Sequence, residues 1–138
     1  MASMTRVLSM SAASHATFGF MTIQPTFTIK DWAKVEPILA RFMTATEGEK
    51  GCLYYGFTKT TDRLFCREAY VDADGVLEHL GNVGPLVGEL LEDANVAVHD
   101  EIQLHGPAAE MEKCKDGMDP LGTVYFEVDS GFQKYIAD

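Results

Sequence analysis

Basic residues are scarce in this chain and missing from a long central stretch. The 138 residues contain 11 Lys and Arg against 21 Asp and Glu, for a net charge of −10, and no Lys or Arg occurs between Arg67 and Lys113. A nucleic-acid binder needs a basic stripe that neutralises phosphates, and docking on anionic lipid needs basic segments as well. We therefore expect no nucleic-acid or membrane partner. The acidic window predicts a solvated surface, with a negatively charged pocket as the alternative.

Cysteines are also few, and several common motifs are missing. Cys52, Cys66 and Cys114 form no CxxC pair, so the sequence indicates neither a zinc cluster nor a disulfide framework. No apolar run approaches the ~20 residues of a membrane span, and neither a P-loop nor GxGxxG occurs. These absences and the length of 138 residues predict a single cytoplasmic domain with reduced thiols.

The first 15 residues differ from the rest of the chain. They carry several serines, one arginine and no acidic residue, a composition that predicts a flexible tail and leaves organelle import as an alternative. We expect the folded domain to cover residues 16–138.

The pattern of apolar residues predicts a β-α-β-β-α-β order with an added C-terminal strand. This is the ferredoxin-like split βαβ arrangement, an α+β fold with an antiparallel sheet and helices on one face. Pro25 is expected to end strand pairing or lie at an edge, and Pro37 to kink the first helix or delay its start to Glu36. The predicted elements are a strand over Ala16–Phe27, a helix capped by Asp31 and closed by Gly48 and Gly51, a hairpin of Cys52–Lys59 and Arg63–Val71, two short helices capped by Asp72 and Asn82, a strand over Val96–His105, a helical turn over Ala108–Lys115 and a strand over Thr123–Val128.

Two strand sequences and one helix sequence resemble a known family. The run EKGCLYYG at Glu49–Gly56, the run FCREAY at Phe65–Tyr70 and the following Glu78, His79 and Leu80 are similar to the antibiotic biosynthesis monooxygenase superfamily. The resemblance implies a homodimer in which two sheets pack face to face into an α/β barrel, so we expect the open sheet face to be apolar. Members of this family oxidise phenols, anthrones or quinols without a cofactor, or degrade haem, and many have no known reaction. The resemblance therefore implies no single activity.

His79 is the leading candidate catalytic residue. A histidine titrates near neutral pH, which suits a general base that deprotonates a phenol or quinol before its reaction with oxygen. Glu68 matches the strand glutamate of the family; structural pairing with Arg63 or Arg67 at the surface is expected, and pairing with His79, which would hold its tautomer, is the alternative. The competing interpretation of His79 is a half-buried histidine bonded to Glu68 or to a backbone carbonyl.

Four aromatic residues are candidates for substrate binding. Tyr54, Tyr55 and Tyr70 could orient a planar aromatic substrate, although strand alternation places Tyr54 and Tyr55 on opposite faces. Trp32 could form a wall of the pocket. Packing in the core or in a dimer interface is the alternative for each of them.

The sequence predicts no bound cofactor and no metal. Haem, with His79 as the axial ligand, is the alternative, although the first strand lacks the asparagine that haem-degrading relatives carry. His99, Glu101 and His105 share one predicted strand face, but neighbours two apart are separated by ~6.5–7 Å, so a polar strand face is expected there. We therefore expect a monooxygenase acting on a small aromatic molecule, with a non-catalytic dimeric binding or stress-response module as the rival.

Overall fold

The computed structural model describes residues 19–134 and confirms the α+β, ferredoxin-like fold. One five-stranded sheet, in the order β2-β3-β1-β4-β5, packs against three helices. Its pairings are antiparallel except β4–β5, which is parallel. Residues 1–18, which include the predicted tail and the predicted start of the first strand, lie outside the described residues. The elements are β1 (Met21–Ile29), α1 (Trp32–Glu47), β2 (Cys52–Lys59), β3 (Arg63–Tyr70), α2 (Ala73–Leu90), β4 (Ala97–Gly106), α3 (Ala108–Met118), a 3₁₀ turn (Asp119–Leu121) and β5 (Val124–Glu127).

β1 is the central strand of the sheet, so the expectation that Pro25 ends pairing or lies at an edge is wrong. The strand pairs with β3 on one side and β4 on the other. The β1–β3 register omits Gln24 and Pro25 and resumes at Thr26. A proline, which has no N–H to donate, is tolerated in a central strand where the ladder is interrupted.

Helix α1 begins at Trp32, and Pro37 does not delay its start. The side chain of Asp31 accepts a hydrogen bond from the Lys34 backbone N–H at 3.3 Å, which is the predicted N-cap, and Gly48 follows the last turn. Val35, Leu39 and Phe42 are buried as their helical spacing predicts, but Met43 is 45% exposed.

Helix α2 is a single helix of 18 residues rather than two short ones. Asp72 caps it as predicted, because its side chain accepts from the Gly75 N–H at 3.0 Å. Asn82 caps nothing: it lies inside the helix and donates to the Ala45 carbonyl of α1 at 2.9 Å. Pro85 also lies inside the helix, at an exposed position.

A bulge in β4 changes which side chains share a face. Against β1, Thr26 pairs with Glu101 and Phe27 with His99, so the register skips one residue. His99 therefore packs on Phe27 on the helix side, with ring centroids 5.4 Å apart, while Gln103 and His105 pair with the partly exposed side of β1. The prediction that His99 and His105 share one face of the strand is therefore wrong.

The core lies between the sheet and the helices, and the open face of the sheet is more polar than expected. Every second residue of β1 is buried, and the four that alternate with them are polar: Thr22, Gln24, Thr26 and Thr28. The expectation of an apolar open face is therefore wrong at its centre, although Val124 and Phe126 of β5 are exposed apolar residues at one side. Within residues 19–134, no helix is long and apolar enough to cross a membrane.

Candidate active site

An interior cavity of about 300 Å³ lies between the sheet and α2. Its walls are mainly apolar and aromatic, and Phe27, Phe42 and Phe57 line it. Few polar side chains reach it, and two of these are His79 and Glu68. An apolar cavity with a few convergent polar groups is typical of a small-molecule site.

His79 lies between two buried carboxylates. Its Nδ1 atom is 3.1 and 3.0 Å from the two carboxylate oxygens of Glu49, and its Nε2 atom is 3.3 Å from Oε1 of Glu68. The side chains are 4% exposed for His79, 2% for Glu49 and 4% for Glu68. The expected surface pairing of Glu68 with an arginine is therefore wrong: Glu68 is buried against His79, the alternative, and a second carboxylate lies on the other ring nitrogen.

The contacts with Glu49 indicate which nitrogen of His79 carries a proton. Because Glu49 presents two acceptor oxygens to Nδ1, that nitrogen carries a proton and donates it. Nε2 lies at an ion-pair distance of 3.3 Å from Glu68 Oε1, and that oxygen accepts its hydrogen bond from the Tyr70 hydroxyl. Burial raises the pKa of Glu68 above its usual range, while His79 and the Tyr70 hydroxyl act in the opposite direction.

Tyr70 and Tyr55 flank the imidazole ring. The Tyr70 hydroxyl donates to Glu68 Oε1 at 2.7 Å and its ring centroid is 5.0 Å from that of His79, whereas Tyr55 lies at 5.3 Å. Burial raises the pKa of both phenols. Only Tyr55 of the two lines the cavity, and Tyr70 is fully buried behind Glu68.

Glu49 is held in place from two sides. Asn82 of α2 donates to its Oε2 atom at 2.7 Å. Two residues further on, Gly51 lies so close to α2 that a Cβ atom built on it would be 2.7 Å from the Gly75 Cα. The glycine pair lets the loop after α1 approach the first turn of α2, one turn before His79.

The other two predicted substrate-binding residues lie outside the cavity. Trp32 donates its indole N–H to the Thr61 carbonyl at 2.7 Å and stacks under the Lys59 ammonium. Tyr54 is 49% exposed and lines a separate depression on the outer side of Glu49. The structure thus brings together four of the six predicted site residues: Glu68, His79, Tyr55 and Tyr70.

The cluster does not fit haem. Both ring nitrogens of His79 face carboxylates, so neither presents a free lone pair to an iron axis. Among residues 19–134, no group of three His, Cys, Asp or Glu side chains is arranged to hold a metal ion.

Glu49 is the site residue that sequence reasoning missed. It is the first letter of the EKGCLYYG run, and it is 8% exposed although it lies just after a helix that ends at a glycine. Its position in this family-like run was the sequence signal that could have identified it as a site residue. The pairing with His79 spans 30 residues, and local periodicity carries no information about such a distance.

Comparisons with known proteins identify structural relatives. A scan against models of protein families matched none, and a search of curated proteins found no match. Among solved structures, MupZ from Pseudomonas fluorescens is 30% identical, with a TM-score of 0.78 over 86% of this chain and 99% of that one.

Two more distant structures share the fold. SnoaB, a cofactor-independent oxygenase from Streptomyces nogalater, is 16% identical with a TM-score of 0.53 over 62% of this chain and 90% of its own. A conserved protein of unknown function from Bacteroides thetaiotaomicron, described as a possible oxidoreductase, is 13% identical with a TM-score of 0.53 over 62% of this chain and 95% of its own. Three observations agree: the β-α-β-β-α-β order of the fold, the family-like residue runs that contain Glu49 and Glu68, and the similarity to MupZ. This chain belongs to the antibiotic biosynthesis monooxygenase superfamily.

Proposed function

We propose that the protein is a cofactor-independent monooxygenase that oxidises a small aromatic or quinol-type molecule in the interior cavity. The observation that carries the proposal is the placement of His79 between two buried carboxylates in the wall of an otherwise apolar cavity. Perturbed titratable groups in a cavity are typical of catalytic sites.

The Glu68–His79 pair supplies the base. With Nδ1 donating to Glu49, Nε2 of His79 is the basic nitrogen that takes a proton from a substrate hydroxyl or an activated CH₂ group, and Glu68 lies 3.3 Å from it. The carboxylate of Glu49 beside Nδ1 then stabilises the imidazolium that forms. For an anthrone, removal of the proton gives an electron-rich carbanion. The CH₂ group loses four electrons, one oxygen atom of O₂ enters the new carbonyl, and the other leaves as water with the two hydrogens.

The cavity favours a planar and uncharged substrate. Phe57 and Tyr55 meet edge to face with ring centroids 5.5 Å apart, and Phe42 contacts Phe57 at 6.2 Å. Aromatic walls of this kind pack well on aromatic rings. Of the substrate-binding residues expected from the sequence, Tyr55 is the one that this proposal places against the ring.

Oxygen uptake tests the proposal directly. Wild-type protein is incubated with a panel of anthrones, quinols and phenols, and products are analysed for ¹⁸O after reaction with ¹⁸O₂. We expect uptake with at least one substrate and a loss of at least about tenfold in His79→Ala, the low end for losing a general base. His105→Ala is the matched control, because His105 lies against Phe126 outside the cavity and is expected to keep full activity.

Other outcomes would select the alternatives. Tight binding of an aromatic ligand without oxygen uptake would favour the non-catalytic binding module. A Soret band on haem titration that disappears in His79→Ala would favour the haem-binding alternative, against the geometry described above. Uptake that is equal in wild type and His79→Ala would contradict the role of His79.

We also propose that the chain forms a homodimer through the open face of the sheet. Val124 and Phe126 are 45% and 44% exposed there, and a second copy would remove them from water. Light scattering after gel filtration is expected to give twice the monomer mass of 15.2 kDa, and a monomer at micromolar concentration would contradict the proposal.

A further inference from the structure

A second histidine reaches the interior cavity, away from His79. His99 of β4 lines the cavity wall and takes no part in the cluster of His79 and its two carboxylates. We propose that His99 is a second catalytic residue, which donates a hydrogen bond to an oxygen atom of the substrate on the side of the ring opposite the reacting carbon. The inference rests on the proposed function, because it assigns His99 a role in that oxidation.

A β-bulge brings His99 into the cavity. Against β1, the register of β4 skips one residue, so that Phe27 pairs with His99 and Asp100 has no partner in the register. Without the skipped residue, Asp100 would lie opposite Phe27. His99 would then pair with Thr28, on the open face of the sheet. Bulges next to active sites re-aim side chains in this way, and this one places an imidazole instead of a carboxylate in the cavity wall.

The His99 ring has a packing partner but no hydrogen-bond partner within residues 19–134. Its centroid is 5.4 Å from that of Phe27, with the two ring planes tilted by 48°. The neighbouring Asp100 is engaged elsewhere, because it accepts from the Thr28 hydroxyl at 2.8 Å and lies 3.9 Å from the Arg63 guanidinium. An imidazole carries at least one N–H in either protonation state. A molecule in the cavity can therefore accept a hydrogen bond from His99.

His79 and His99 lie near opposite ends of the cavity floor. On β1, Ile23 pairs with Glu68, which lies beside His79, whereas Phe27 pairs with His99. Ile23 and Phe27 both line the cavity, and four residues of a strand span about 13 Å. One molecule therefore reaches both histidines only if it carries reactive or polar atoms on opposite sides of its ring system.

The remaining polar side chains of the cavity lie near His79 instead. Glu68 is 3.3 Å from its Nε2 atom, and the Tyr55 ring is 5.3 Å from its ring. Cys66 interacts with both Glu68 and Tyr55. In the part of the chain that the structure describes, His99 is therefore the polar side chain that a substrate meets at the far end of the cavity.

Proton removal gives this second contact a catalytic effect. When Nε2 of His79 takes a proton from a ring CH₂ group, the C–H bond breaks and an N–H bond forms. The electron pair of the C–H bond moves through the ring to a conjugated carbonyl on the opposite side, which becomes an enolate with a negatively charged oxygen. A hydrogen bond from His99 is stronger to this oxygen than to the ketone, because charge assists it. His99 therefore lowers the barrier to proton removal.

The two contacts define the substrate more closely. An aromatic ketone whose carbonyl lies across the ring from the reacting CH₂ group fits both histidines. A quinol with two para hydroxyl groups presents the same pair of contacts, since one hydroxyl loses its proton to His79 and the other oxygen accepts from His99. An aromatic molecule with a single polar atom uses only one of them.

Binding without oxygen tests the contact without any turnover. Under nitrogen, equilibrium dialysis compares anthrone with 9,10-dihydroanthracene, which has the same ring skeleton but no oxygen atom. We expect wild type to bind anthrone about three- to tenfold more tightly, the effect of one hydrogen bond. His99→Phe keeps an aromatic ring beside Phe27 but removes the donor, so it should bind both ligands equally. His105→Phe is the matched control, because His105 lies on the same strand but stacks on Phe126 outside the cavity.

Two further measurements separate a catalytic role from packing. The absorption spectrum of bound anthrone under nitrogen gives the fraction present as the enolate, which should fall in His99→Phe and recover in part in His99→Gln, a variant that retains a donor. With oxygen present, uptake per folded molecule should fall about 10²-fold in His99→Phe, the low end for losing a donor to an oxyanion. Loss of packing alone would weaken both ligands alike and leave the enolate fraction unchanged.

Each result decides the role of His99. Wild type that binds both ligands equally, or His99→Phe that keeps the preference for anthrone, would overturn the proposal. If His99→Phe does not fold, His99→Leu replaces it with the same expectations. A preference for anthrone that depends on His99, together with no oxygen uptake, would refute the monooxygenase and leave His99 as the residue that binds the ligand's oxygen.

Discussion

The close approach of Gly51 to Gly75 gives a prediction whose size follows from the structure. A methyl group added at Gly51 would lie 2.7 Å from the Gly75 Cα, roughly 1 Å short of the about 3.5–4.0 Å at which carbon atoms pack. The obstacle is backbone on both sides, because Gly51 O accepts from the Val71 N–H at 2.9 Å and Gly75 lies in the capped first turn of α2. The loop and the helix must therefore separate.

We expect Gly51→Ala to lower the free energy of unfolding by about 1–3 kcal/mol, the usual cost of overpacking. For a chain of 138 residues this corresponds to a fall in Tm of roughly 3–10 °C. The separation also moves Glu49 away from His79, so oxygen uptake should fall further than the folded fraction does. Urea denaturation and calorimetry measure the first effect, and uptake per folded molecule measures the second.

Gly81→Ala provides the control with the opposite sign. Gly81 lies in α2, the helix that contains Gly75, and a Cβ atom on Gly81 would meet nothing within 4 Å. Alanine is favoured over glycine inside a helix by about 1 kcal/mol, so this variant should be more stable than wild type. A Gly51→Ala variant as stable as wild type, with unchanged uptake, would refute the reasoning.

Three further substitutions test other contacts. Asp72→Ala removes the α2 cap and should cost about 1 kcal/mol in urea denaturation. Val87→Phe fills the cavity and should weaken binding of an aromatic ligand at least tenfold in calorimetric titration, without loss of helical circular dichroism. Burial lowers the pKa of His105, so the folded protein is more stable above pH 6.5 and loses that stability as the pH falls toward the lowered pKa. Phe126→Ala removes the ring stacked on His105 and should raise this pKa toward its usual value in an NMR titration.

Local signals in the sequence predicted most of the fold. Asp31 and Asp72 cap their helices because a short acceptor side chain before an apolar period meets free N–H groups, whatever the rest of the chain does. The hairpin of β2 and β3 follows in the same way from two alternating runs around a short polar turn. The Glu68–His79 contact entered only as the alternative to an arginine pair, and through the family resemblance.

Features that depend on distant parts of the chain were not predictable in the same way. Asn82 looked like a helix start, but its amide bonds instead to Ala45 and Glu49, which lie more than 30 residues away. The position of His99 depends on a one-residue bulge opposite Phe27, and strand alternation alone cannot reveal a shift of register. Glu49 belonged to the family-like run but had no assigned role, because its burial depends on the close approach of Gly51 to Gly75 in α2.

The buried cluster is costly for the fold, and this cost is an argument for a chemical role. Taking Glu49, Glu68 and His79 out of water carries a desolvation penalty that their mutual attraction repays incompletely. Removing one partner alone, as in Glu49→Leu, should destabilise the protein by about 3–5 kcal/mol, because His79 and Asn82 would lose the carboxylate that they contact. Replacing the whole cluster with Glu49→Met, Glu68→Met, His79→Leu and Tyr70→Phe should instead be neutral or stabilising in urea denaturation, with oxygen uptake abolished. If the quadruple variant were as unstable as the single one, the cluster would be structural support, and its burial would no longer favour catalysis.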